Sequence, residues 1–78
     1  MPRYYFDIDD GGERFEDASG IDLPDQDAVR REAFTLLRDA VHRLMPEGRH
    51  VLTVQVRDEV GRLVYQGEMS VDGRRSLP

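Results

Sequence analysis

The stretch RYYFDIDDGGERFED, residues 3–17, decides how the rest of the chain is read. Tyr4, Phe6 and Ile8 alternate with Tyr5 and Asp7, the period of a half-buried strand. Asp10-Gly11 then offers the dipeptide suited to a two-residue hairpin turn of type I′. That turn sets Asp9 opposite Gly12, Phe6 opposite Phe15 and Tyr4 opposite Asp17, with Asp7 facing Arg14 and Tyr5 facing Glu16. Aromatic meets aromatic on one face and acid meets base on the other, as cross-strand pairing rewards. The same acids do not read as a calcium loop, which needs oxygen ligands at positions one, three and five, Gly at six and Glu at twelve. Begun at Asp7, such a loop has Gly11 fifth and Ala18 twelfth; begun at Asp9, it has Arg14 sixth and Gly20 twelfth. The acids belong to a hairpin.

Beyond the hairpin, DASGIDLPDQD (17–27) is a connection. Ser19-Gly20 is a turn, Ile21 and Leu23 tuck under the edge of the core, and Pro24 closes the extended piece. Asp25 is placed to cap a helix, and Asp27 favours the positive end of its dipole. The helix is expected from Gln26 to Met45, ended by Pro46 and Gly48. Val29, Ala33, Leu36, Leu37, Ala40 and Leu44 fall on one stripe, and Phe34, Val41 and Met45 widen it along one flank. A helix on one small sheet seldom needs so wide an apolar face. Phe34, Val41 and Met45 are therefore the candidate interface with another chain.

RHVLTVQVRD (49–58) is a strand with Leu52, Val54 and Val56 on one face, and LVYQGEMSV (63–71) follows with Leu63, Tyr65, Met69 and Val71 on one side. A four-residue loop, 59–62, sets Asp58 opposite Leu63, Val56 opposite Tyr65, Val54 opposite Gly67 and Leu52 opposite Met69. A turn with a bulged glycine instead puts Val56 against Val64 and mixes the faces, so the first register is expected. Gly61 supplies the positive φ of the loop.

These pieces give an α+β fold in two layers, β-β-α-β-β. One helix covers one face of a four-stranded, mostly antiparallel sheet in the order 2-1-3-4. Residues 1–72 form a single domain and 73–78 a disordered tail. The other face, with Tyr5, Asp7, Arg14, Glu16, Thr53, Gln55, Arg57, Gln66 and Glu68, is polar enough to meet water.

At 78 residues there is room for one core, and the apolar area buried barely exceeds the chain entropy lost, a deficit that oligomerisation commonly remedies. Cysteine is absent, which removes disulfides and thiolate metal sites and is compatible with a cytoplasmic location. The N-terminus shows no secretory apolar segment, and no apolar run is long enough to span a bilayer. The net charge of -5 argues against nucleic acid, whose affinity comes mainly from phosphate neutralisation. Every basic residue except the histidines is arginine. Residues 1–27 hold nine acids against two arginines, and the remainder seven against nine, an acidic front that could steer a basic protein partner. Asp9, Asp10 and Glu13 are the candidate acidic surface for it.

No constellation for catalysis is legible. Ser19, Ser70, Ser76, Thr35 and Thr53 are possible nucleophiles and His42 and His50 possible bases, but none lies in an elbow motif and no acid is spaced to orient either histidine. Two separated histidines without cysteine match no zinc spacing. Gly11-Gly12 precedes no helix and cradles no phosphate. No cofactor is expected, and no enzyme.

MPRYYF at the start, GIDLPD before the helix, AVRREA in its first turns and VRDEVGRLVYQ across the second hairpin together resemble a family of short bacterial proteins known only as a domain of unknown function. The likeness runs from Met1 to Val71 and implies a free-standing cytoplasmic domain of soil- and plant-associated bacteria, with no site residues to carry over. A looser likeness is to the antitoxin half of certain toxin–antitoxin pairs, which have one strand after the helix where this chain has two. The expected function is a small non-enzymatic interaction domain that self-associates as a homodimer; the alternative is an acidic adaptor or antitoxin-like regulator.

Overall fold

Alternation along the first strand and along the two strands after the helix produces the expected sheet. The computed structural model of the chain describes residues 1–43 and 48–74. The elements are β1 (Arg3–Asp9), β2 (Arg14–Phe15), β3 (Ile21–Asp22), α1 (Gln26–Val41), β4 (Gly48–Arg57) and β5 (Leu63–Gly73). All pairings are antiparallel and the path is β2-β1-β4-β5. This is the expected order with one addition: the short β3 also pairs with β1, through Arg3 with Asp22 and Tyr4 with Ile21. The Leu23 amide extends that pairing by donating to the Pro2 carbonyl at 3.0 Å.

The helix starts where the sequence places it. Asp25 has extended backbone geometry and its carboxylate accepts from the Ala28 amide at 2.9 Å, satisfying one of the free donors of the first turn. α1 ends at Val41, short of the expected Met45; Leu44, Met45 and Pro46 lie outside the described residues. α1 lies over β4 and β5 and reaches β1. Val29, Ala33 and Leu37 are fully buried against Tyr4, Phe6, Leu52, Val54 and Val56, with Leu36 and Ala40 partly buried beside them. Gly67 lets the helix approach: a Cβ there would stand 3.3 Å from Val54 and 3.7 Å from Leu37.

Both hairpin tips differ from expectation. In the first, Ile8 faces Phe15 and Asp9 faces Arg14, two residues along from the register built on a type I′ turn. That turn requires positive φ at both central residues, and only Gly11 adopts it; Asp10 does not. The loop is longer instead. The Asp10 amide donates to the Glu13 carbonyl, and the carboxylates of Asp9 and Asp10 accept from the amides of Gly11 and Glu13. Because the slip is by two residues, the faces are preserved. Phe15, however, sits at the rim, 55% exposed, rather than under the helix.

In the second hairpin Val56–Tyr65, Val54–Gly67 and Leu52–Met69 pair as expected, but Arg57, not Asp58, faces Leu63. The tip is a glycine-bulged turn after all. The Gly61 amide donates to Asp58, the Asp58 amide donates to Arg62, and Gly61 has φ +87°. A second bulge, at Val64 of β5 opposite Val56 and Arg57, compensates, so the body of the ladder keeps its faces. β5 continues to Gly73, paired with Gly48, so the first residue assigned to the tail is in the sheet; residues 75–78 lie outside the described part.

Candidate functional site

On the open face of the sheet, Asp7 is not a solvated acid. It is 2% exposed, because the β2–β3 connection and the Arg57 side chain cover it. Arg57 grips it bidentately, Nε to Oδ2 at 2.7 Å and Nη2 to Oδ1 at 3.2 Å, and the Asp17 amide donates to Oδ1 at 3.0 Å. Arg14 adds a longer contact of 3.4 Å. Nη2 of Arg57 also donates to the Asp17 carbonyl, and its guanidinium lies 5.0 Å from the centre of the Tyr5 ring. A planar fork that pairs and stacks at once is what arginine provides and lysine does not. Burial pushes the Asp7 carboxyl up, but the Arg57 hydrogen bond, the Asp17 amide and the charges of Arg57 and Arg14 outweigh it, and the group is held below the usual carboxylate range.

Asp17 does a second job. Burial raises it too, yet the amides of Gly20, Phe6 and Ser19 all donate to its carboxylate and leave its pKa lowered. The Phe6 amide belongs to β1 and points to the edge shared by β2 and β3. Asp17 thus supplies an acceptor where that edge has no strand. Among the described residues no buried side-chain nitrogen or oxygen lacks a partner. The cluster fixes the β2–β3 connection to the sheet.

The two edges of the sheet are therefore unlike. One is broken into β2 and β3, two residues each, and plugged between them by Asp17. The other is β5, eleven residues long. Backbone direction alternates along each antiparallel strand. Since the Phe6 amide points away from β4, Tyr5, Asp7 and Asp9 point toward it. Following the pairs outward, Leu52, Val54 and Val56 address β5, and Tyr65, Gly67, Met69 and Val71 address β4. The amides and carbonyls of Gln66, Glu68, Ser70 and Asp72 face outward.

The helix flank lies beside that edge. At about 100° per residue, Ala40 and Phe34 lie on opposite sides of Leu37. Ala40 lines a cleft of about 370 Å³ with Ile8, Phe15 and Leu52, so its side faces β1 and β2. Phe34 consequently overhangs β5, and it is 46% exposed. Val41 is half-buried on the same flank, and Met45 is outside the described residues.

Asp9, Asp10 and Glu13 do gather at one hairpin tip, but two of their three carboxylates fasten the turn. His42 is exposed after the helix and His50 is half-buried in β4. No three histidine, aspartate or glutamate side chains converge as metal ligands among the described residues. No helix among them is long and apolar enough to cross a membrane.

A family model described as a domain of unknown function (DUF6894) matches residues 3–70. No curated protein and no solved structure matches the chain.

Proposed function

The chain belongs to the DUF6894 family, a description that names no activity, and we propose from its residues that it is a small, non-enzymatic cytoplasmic domain that works by self-association as a homodimer. The observation that carries this reading is Phe34, a large apolar side chain left 46% exposed on the helix flank that overhangs an outer strand. Single exposed apolar residues are ordinary, but this one shares a flank of α1 with the half-buried Val41, on the side turned away from β1 and β2. A domain of this size gains from burying such a strip, because its own core barely exceeds its entropy cost. The acidic-adaptor alternative rests on Asp9, Asp10 and Glu13, whose carboxylates are partly committed to the turn.

Light scattering across a micromolar dilution series tests the proposal. The expected mass is twice 9.0 kDa, falling toward 9.0 kDa on dilution. Phe34→Glu is expected to give a monomer at every concentration. A wild-type monomer throughout, or a dimer indifferent to Phe34→Glu, removes the helix flank as the interface.

A further inference from the structure

We infer that the outer edge of β5 is the pairing surface, and that it takes the β5 of a second copy, antiparallel, with the two-fold axis at Met69. This rests on the self-association reading and gives it a register. Exposed edges are normally blunted by proline, lysine, shortness or bulges. The β2–β3 edge is short and plugged. Across residues 65–73, β5 has no proline and no bulge, and its only charges are Glu68 and Asp72; its irregularity lies at the other end, opposite Val56 and Arg57. The edge is protected on one side of the sheet and open on the other.

The register follows from which residues oppose one another. An isologous antiparallel pair places residue i against j, and j against i, about one central residue. Centred on Glu68, the pairing sets Glu68 against its own copy. Centred on Ser70, it sets Glu68 against Asp72. Both oppose like charges directly, which destabilises a ladder. Centred on Gly67, it runs Ser70 into the irregular stretch at Val64, where the ladder cannot continue. Centred on Met69, Gln66 meets Asp72 and Glu68 meets Ser70. No like charges are opposed, and every outward amide and carbonyl of those four residues finds a partner. On the helix side Tyr65 then lies over Gly73 of the second copy, and the two Met69 side chains meet at the axis. The Phe34 flanks of both helices approach each other across the same axis, so one arrangement covers the edge and the exposed apolar strip together.

The absence of cysteine makes the test direct. Directly opposed residues of an antiparallel pair have Cα separations of about 4.5–5.5 Å, within the range a disulfide spans. Single cysteines are introduced from position 66 to 72 and oxidised mildly at dilution. Met69→Cys alone is expected to give a disulfide dimer as the main product. An equimolar mixture of Glu68→Cys and Ser70→Cys is expected to give the mixed dimer far above either alone. Those two positions are exposed, so they keep the test valid if the Met69 variant folds poorly. A maximum of self-linking at 67, 68 or 70 overturns this register. A dimer by light scattering with no linking along β5 overturns the edge while leaving self-association standing. A monomer by light scattering removes both.

Discussion

Asp7 keeps its charge inside the protein only because Arg57, Arg14 and the Asp17 amide surround it. Its replacement by asparagine leaves Arg57 without its main partner and is expected to destabilise the fold, though not as far as stranding a fully buried charge would, since the partly exposed Arg57 still reaches the Asp17 carbonyl and water. The measurement is the urea midpoint of unfolding at neutral pH. Arg57→Lys is expected to lower that midpoint as well, by loss of the bidentate grip and of the Tyr5 contact. The pH dependence has a definite sign. Asp7 and Asp17 are both lowered in the folded state, so the unfolded chain takes up protons first. Their contribution is complete above the ordinary aspartate value, about 3.9, and is lost as the pH falls through the lower folded values. Wild type should weaken steeply below about pH 4, and Asp7→Asn less steeply. The alternation of RYYFDI assigned Asp7 correctly to the open face. It could not reveal the depth of burial, which comes from residues 10 and 50 positions away.

Turns set the character of the elements here. Gly20 has φ +75°, and a Cβ at that position would stand 2.8 Å from Cγ of Arg3 and 3.0 Å from the Tyr5 ring. Left-handed backbone alone costs a residue with a side chain about 1–2 kcal/mol. Gly20→Ala should exceed that, because it also presses on the Arg3 that pairs with Asp22 at 2.8 Å. Thermal unfolding of the variant checks this; an unchanged midpoint would mean the connection relaxes freely. Strand existence, the helix start at Asp25 and the body of the β4–β5 register were all legible, because each follows from period or from a cap. The tips were not. At Asp10-Gly11 the dipeptide rule lost to side-chain capping of a longer loop, and after Gly61 a bulge at Val64 absorbed the extra residue. β3 also escaped notice: two residues carry no period, and only the tertiary partner reveals them.

At the scale of the whole molecule, the acidic front and arginine-rich remainder leave the sheet order intact, as charge patterning bears on partners rather than on topology. The candidate interface was half legible. The helical period marked Phe34, which is 46% exposed, but Val41 from the same flank packs partly against the core, and an open edge is visible only once both edges are known. The same alternation of backbone direction along β5 has a consequence for solvent exchange. Amides turned toward β4, at Tyr65, Gly67, Met69 and Val71, should trade hydrogen for deuterium slowly. Those of Gln66, Glu68, Ser70 and Asp72 should trade at nearly the rate of an unstructured peptide in a dilute sample. Neighbouring residues on one strand would thus differ widely in lifetime, a comb with every second tooth missing. Raising the concentration should fill the gaps, so that a single exchange spectrum records, residue by residue, how often the edge is covered.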